Sequence, residues 1–294
     1  MKTTANALVL AAAAATFVAG AIMRPAEVAA QADKNIAGNI ELVPHLAVYD
    51  LKLVRTRGSR SLEAVRGRIL YDFSGSSCEG YALQFRQVSE LDSGEGKSAL
   101  SDLRTTTWED GAAKNFRFNS ENLLNQKAMD TVDGTAARQP SAVAVSLKKP
   151  QSKNFDIVAG AVFPTEHMRR IIAAARAGQT VLEFPVYDGS ETGEKLYNTL
   201  TIIGRPIQPD EKKAQDAAAG QAALATMLRW PVTISYFDKN DKKTHKSGEE
   251  TPVYAIAFEI YENGISRALL LDYTDFVIAG ELTALEVKSA KPCP

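Results

Sequence analysis

Apolar side chains recur at every second position through most of the chain, and the alternation is clearest in residues 71–86, YDFSGSSCEGYALQFR. Val65, Ile69, Tyr71 and Phe73 share a face before a Ser/Gly-rich turn, and Tyr81, Leu83 and Phe85 share one after it. That period of two predicts two half-buried strands joined as a hairpin. Upstream, Ala47, Tyr49, Leu51 and Leu53 alternate with Val48, Asp50 and Lys52 and predict another strand, broken at Gly58 and Ser59. Downstream, residues 92–96 read as a turn, 100–108 as a Thr-rich strand, and Glu109-Asp110-Gly111 as the turn into Phe116 and Phe118, because Asp-Gly between extended runs is a strong hairpin signal. Weaker strands are predicted over 129–132 and 143–147, with Asp133-Gly134 turning between them.

One segment departs from this period. Pro164 opens a run in which Met168, Ile171, Ile172 and Ala175 fall on one stripe at helical spacing, and Gly178 ends it. Residues 165–177 therefore predict a short amphipathic helix, either capping the open core of a sheet or lying as a lid over a ligand cavity. Strands resume over 182–186, 196–203, 232–236, 253–261, 265–271 and 277–287, while the Ala- and Lys-rich residues 209–227 read as a marginal helix or a solvated insertion. About a dozen strands with connections too short for parallel crossovers predict an all-β, mainly antiparallel fold. With no repeat and no linker, residues 31–294 read as one domain.

The first thirty residues change the address. Lys2, the apolar run 7–23 and the small residues Val28-Ala29-Ala30 have the order of a secretory signal peptide, with Ala30-Gln31-Ala32 as a second candidate cleavage site. The run is shorter than a spanning helix wants and is mostly Ala, so no membrane span is expected after cleavage; an uncleaved membrane anchor is the alternative, since Arg24 falls late for a signal peptide. Export in turn changes the meaning of Cys78 and Cys293, the only two cysteines. In an oxidising compartment an even pair tends to form a disulfide; a free or redox-active pair is the alternative. A formal net charge of -1 offers no general attraction to nucleic acid, and the group Lys239, Lys242, Lys243 and Lys246 is interleaved with Asp238 and Asp241 as in a solvated loop.

Candidate chemistry is sparse. His45, His167 and His245 are too scattered for a zinc motif and read as surface or capping residues, so no metal is expected. The stretch from Asp238 to Lys243 fails as a calcium loop because lysines occupy ligand and glycine positions. There is no nucleophile elbow, and the carboxylate pairs Glu109-Asp110 and Asp272 with Asp275 are of a kind common in turns. The positive signal is aromatic. Tyr71, Phe73, Phe85, Trp108, Phe116 and Phe118 lie on consecutive strands, either as core or, in a curved sheet, as the lining of a pocket for an acyl chain. The candidate ligand-binding set is Tyr71, Phe73, Phe85, Trp108 and Phe118 with Met168, Ile171 and Ile172 from the helix.

Six stretches in chain order carry a resemblance: residues 45–53 (HLAVYDLKL), 69–81 with CEGY, 102–111 (DLRTTTWEDG), 163–167 (FPTEH), 186–190 (VYDGS) and 229–236 (RWPVTISY). Together they resemble the cell-envelope integrity protein EipB family of alphaproteobacterial periplasms. The resemblance implies a spiral antiparallel sheet forming an open, barrel-like cup with one helix inserted, and a disulfide between Cys78 and Cys293. It also implies residence in the periplasm and a non-enzymatic part in envelope integrity, with no cofactor or catalytic residue to carry over. An apolar or lipid ligand, or a periplasmic protein partner, is the expected binding target; a hydrolase acting on envelope lipids or glycans is the alternative.

Overall fold

The structure, a computed structural model, describes residues 40–57, 62–94, 96–238, 251–289 and 293. The expected signal peptide at 1–30, His245 and the four-lysine group lie outside the described residues. Fourteen strands are described. The first eight are β1 His45–Thr56, β2 Ala64–Ser76, β3 Gly80–Asp92, β4 Ser98–Glu109, β5 Asn115–Leu124, β6 Lys127–Arg138, β7 Ala142–Lys149 and β8 Lys153–Val158. A helix, α1 Pro164–Arg176, follows, and then β9 Val181–Val186, β10 Tyr197–Ile203, β11 Arg229–Asp238, β12 Tyr254–Tyr261, β13 Ser266–Tyr273 and β14 Phe276–Val287.

All fourteen belong to one antiparallel sheet in the order β8-β7-β6-β5-β4-β3-β2-β1-β14-β13-β12-β11-β10-β9. Every neighbour but one is a sequential hairpin partner. The exception joins the first strand to the last, from His45↔Val287 to Thr56↔Phe276, so two meanders are sewn together along β1 and β14. The sheet is open, with β8 and β9 as its edges. The two edges meet through a strap instead of a ladder: Val162 N–H donates to Pro185 O at 2.8 Å and Tyr187 N–H donates to Val162 O at 3.0 Å. The β9–β10 loop completes the seam by folding against the inner face of β5–β7. Gly189 is required there, since it has φ +69 and a Cβ on it would lie 2.4 Å from the Phe118 ring.

The alternation read from the sequence sets which side chains face inward. Ala47, Tyr49 and Leu51 of β1, Val65, Ile69 and Phe73 of β2 and Tyr81 of β3 are buried, while Lys52, Arg66, Arg68 and Leu70 point outward. Helix α1 lies across one end of the curl. Its N-terminus meets the last residues of β4 and β6, Glu109 and Arg138, and its Arg176 reaches Glu262 in the β12–β13 turn at 3.3 Å. Ile171 and Ile172 are fully buried with Phe73, Tyr81, Trp230 and Ile260, at about 1.5–3 kcal/mol each.

Two expectations are corrected, and one strand that the sequence reading missed is added. Asp133-Gly134 is not a turn but the middle of β6, where a bulge sits; the Phe118 and Leu147 side chains fill the space beside Gly134 that a Cβ would need. Strand β8 carries little apolar signal because it is a half-exposed edge. Residues 209–227 are neither a regular α-helix nor a solvated insertion. They form two 3-10 turns, Ala217–Gly220 and Ala222–Leu224, which bury Ala218 and Leu224 beside Tyr49, Tyr261 and Leu282. Gln221 Nε2 also donates to Leu285 O at 2.9 Å, filling the wedge where the β12–β13 hairpin leaves β14.

Candidate functional site

Inward side chains are gathered into three packed clusters, and the side chains between them are not fully buried. Tyr71, Ile256 and Leu269 touch both the helix-side cluster and the cluster along β1, β2, β13 and β14, yet all three keep partial exposure. Leu83 and Tyr236 border only the helix-side cluster, Phe85 and Tyr273 only the other, and Tyr254 lies between Tyr236 and Tyr273 on the same face; all five are partly exposed. Burial pushes the phenols of Tyr71, Tyr236, Tyr254 and Tyr273 above their ordinary range, because a charged phenolate loses hydration in apolar surroundings. Side chains that are both accessible and poorly solvated line a concave surface. The hollow is closed at one end by α1, and its walls touch across it where Gln87 of β3 hydrogen-bonds Tyr273 of β13.

Aromatic rings form a row at the end away from the helix. Tyr236, Tyr254, Tyr273 and Phe276 are opposite one another on four successive strands. Tyr236 and Tyr254 stack at 4.3 Å, Tyr273 and Phe276 sit at 5.0 Å, and Tyr197 stands edge-on to the first two at 5.9 and 6.0 Å. Asp188 stands on the β9–β10 loop two residues beyond Val186, the strand partner of Tyr197, close enough for its charge to act on this row. One of its oxygens accepts from Ser190 N–H at 2.9 Å, and among the described residues it has no ion-pair partner. Burial raises its carboxyl above the usual range, and its charge in turn raises the phenols of Tyr197, Tyr236 and Tyr254. The nearest cation on the same loop, Lys195, is already held by Glu191 at 2.9 Å and Asp238 at 2.7 Å.

The eight candidate ligand residues separate. Tyr71 and Phe85 face the hollow and Met168 borders it. Phe73, Ile171 and Ile172 are consumed in packing α1 to the sheet, and Phe118 lies beneath the β9–β10 loop. Trp108 is on the outer face, with the Arg117 guanidinium 4.8 Å over its ring, because β4 turns its odd positions inward. Asp188 and the row Tyr236, Tyr254 and Tyr273 were not singled out from sequence; the tyrosines occupy inward positions of their strands, but nothing in one chain says that β3 and β13 face each other. At the helix end Cys78 and Cys293 are joined, with Cα atoms 5.7 Å apart.

This arrangement has known relatives. Residues 36–289 match the EipB-like family. The cell envelope integrity protein EipB of Brucella abortus (strain 2308) is 35% identical over 253 residues, covering 85% of this chain and 86% of the relative. The crystal structure of a beta-barrel-like protein from Brucella abortus superposes with a TM-score of 0.77 at 33% identity, over 85% of this chain and 100% of that one. The chain belongs to the EipB-like family.

A group of buried polar residues in this EipB-like chain holds the helix. Glu109, 2% exposed, accepts from the N–H groups of Thr165 and Glu166 at 2.9 and 2.8 Å, supplying the N-terminal cap that Phe163 cannot. Burial pushes its carboxyl up to about 8, while those two donors pull the other way. Glu166 bridges Arg138 at 2.8 Å and Arg170 at 2.6 Å, and Arg169 donates to Ile40 O and Gly111 O. Asp110 accepts from Ala112, Lys114 and Asn115 in its turn, and Asp272 pairs with Arg57 at 2.7 Å. The carboxylate pairs therefore serve local structure. Glu109→Ala strips two buried N–H groups of their acceptors and is expected to cost about 2 kcal/mol, with faster amide exchange at Thr165 and Glu166. An unchanged urea midpoint would show that the cap is dispensable.

His45 and His167 are buried, contrary to the surface reading. His45 stacks on Tyr71 at 5.4 Å, and His167 lies edge-on to Phe184 at 5.9 Å. Burial, reinforced by Arg170, pushes the His167 imidazole down to about 4, against about 6.5 unfolded. The unfolded chain therefore binds a proton first as pH falls. The stabilisation is complete above about pH 6.5 and is lost on the way to pH 4, by about 3 kcal/mol. Subtracting the His167→Gln stability curve from the wild-type curve should isolate that slope, and a flat difference would mean that the ring is hydrated.

Proposed function

We propose that this protein is a non-enzymatic periplasmic factor in envelope integrity that binds an apolar ligand, such as a lipid chain, in the hollow of its curled sheet. The observation that carries the reading is the set of accessible but poorly solvated inward side chains, Tyr71, Leu83, Phe85, Ile256 and Leu269, facing a concavity that the helix closes at one end. The family relationship supports the envelope role, since the Brucella abortus relative carries that name. The signal-like N-terminus and the disulfide support an oxidising compartment outside the cytoplasm. A ligand pocket of this kind is mostly apolar with a few placed polar groups, which fits Asp188 and Gln87 beside the rings.

The test is native mass spectrometry of protein purified from the periplasm, beside an Ile256→Arg variant that places a charge in the hollow. Co-purifying lipid on the wild type and none on the variant is the expected result; an empty wild-type protein overturns the reading. One observation favours a protein segment as a second occupant. Edge strand β8 is unpaired on its outer side and borders a cleft of about 390 Å3 lined by Lys153, Phe155, Ile157, Glu194 and Leu196. An extended peptide can dock on such an edge by adding a strand.

A further inference from the structure

We propose that the hollow selects a ligand bearing a positively charged amine or quaternary ammonium group beside its apolar chain, with Asp188 as the counter-ion and the Tyr236–Tyr254 pair as its aromatic neighbours. This rests on the reading of the hollow as a ligand site and names the chemistry of the ligand's head. Asp188 is the argument's centre. A carboxylate taken out of water is costly unless paired, and this one is held within its own turn by Ser190 N–H, with no ion pair among the described residues. The neighbouring carboxylates are matched: Glu191 accepts from the Tyr197 hydroxyl at 2.6 Å and pairs with Lys195, which also satisfies Asp238. One negative group at the mouth is thus left without a cation among the described residues.

The surroundings suit a soft cation better than an anion. Tyrosine faces attract ammonium groups through the negative face of the ring, and Tyr236, Tyr254 and Tyr197 cluster within 6.0 Å of one another. Asp188 has partial exposure, so a ligand group can reach it. The apolar remainder of the ligand would lie along Tyr71, Ile256 and Leu269, toward the helix. An anionic head in the same place would meet Asp188 and Glu191 with no spare positive charge on the described loop.

The experiment is calorimetric titration, below micelle concentrations, with three probes of one chain length: decyltrimethylammonium, decanoate and decyl maltoside. Wild type is expected to bind the ammonium about tenfold more tightly than the carboxylate. Asp188→Asn should bring the ammonium down toward the maltoside, leave the maltoside unchanged, and have its loss recovered by Asp188→Glu. Equal wild-type affinity for ammonium and carboxylate, or ammonium binding indifferent to Asp188→Asn, overturns the selectivity while leaving the hollow a binding site. Equal loss of all three probes in Asp188→Asn makes the residue a structural one and overturns its role as counter-ion. Failure of wild type to bind any probe overturns both this inference and the ligand-site reading beneath it.

Discussion

Cys78→Ser combined with Cys293→Ser is expected to lower the unfolding free energy by about 5 kcal/mol, the chain-entropy value for a closed loop of this order. The bond spans a sequence separation of 215, so without it the unfolded chain regains almost all the freedom of a linear polymer. The folded state has little to lose in return. The β1–β14 pairing already brings the chain's two ends together, and the β2–β3 turn carrying Cys78 opens at the same end as the last residues of β14. A Cα–Cα distance of 5.7 Å lies within the ordinary span for a disulfide. Urea titrations of oxidised wild type, reduced wild type and the double variant provide the check. Reduced wild type and the variant should share a midpoint well below the oxidised protein, with a steeper denaturant dependence from a more expanded unfolded state. Coincident midpoints for all three would mean that the unfolded ensemble is held compact by other contacts.

Glu259→Ala is expected to cost about 3–5 kcal/mol, the usual penalty for leaving buried charges without their partner. Glu259 sits between Arg229 and Arg267, accepting from Arg229 Nε at 2.8 Å and also bonding the Arg267 guanidinium, while Arg267 reaches Asp216 at 2.8 Å. The side chains of Arg229, Glu259 and Arg267 are 3%, 11% and 11% exposed. Burial works against ionisation of Glu259, but the two guanidiniums outweigh it and hold the carboxyl below its ordinary range. Removing the carboxylate leaves Arg229 without its anion and Arg267 with Asp216 alone. The quadruple variant Asp216→Asn, Arg229→Met, Glu259→Leu, Arg267→Met should recover most of the loss, since replacing the whole group, Asp216 included, removes the desolvation cost with the charges and keeps an acceptor for Ala218 N–H. A loss under about 1 kcal/mol in Glu259→Ala would mean that water reaches the arginines.

Legibility differs by element. Strands β1 to β3 announce themselves because each has one wet and one dry face, so Tyr49, Ile69 and Tyr81 fall at every second position. Helix α1 announces itself by Pro164 and the Met168, Ile171, Ile172, Ala175 stripe. Gly134 misleads because a glycine beside an aspartate signals a turn locally, while its role is to leave room for Phe118. Residues 209–227 mislead because Asp216, Ala218 and Leu224 find partners on β13, β14 and β1, none of them near in sequence.

The candidate site was half legible. Tyr71 and Phe85 could be placed on an inward face, but Trp108 lies one position out of phase with the inner row, because Glu109 faces inward to cap the helix. Sequence by itself determined the period of the strands, the single helix, the family and the two sulfurs available for a clasp, since these depend on spacing along the chain and on motifs. Only the tertiary structure decided which inward side chains were spent on packing and which were left around a hollow, and that Asp188 would stand near the tyrosine row with no cation among the described residues. Curvature brings strands far apart in order face to face, and solvation of a charge depends on everything around it, not on its neighbours in sequence.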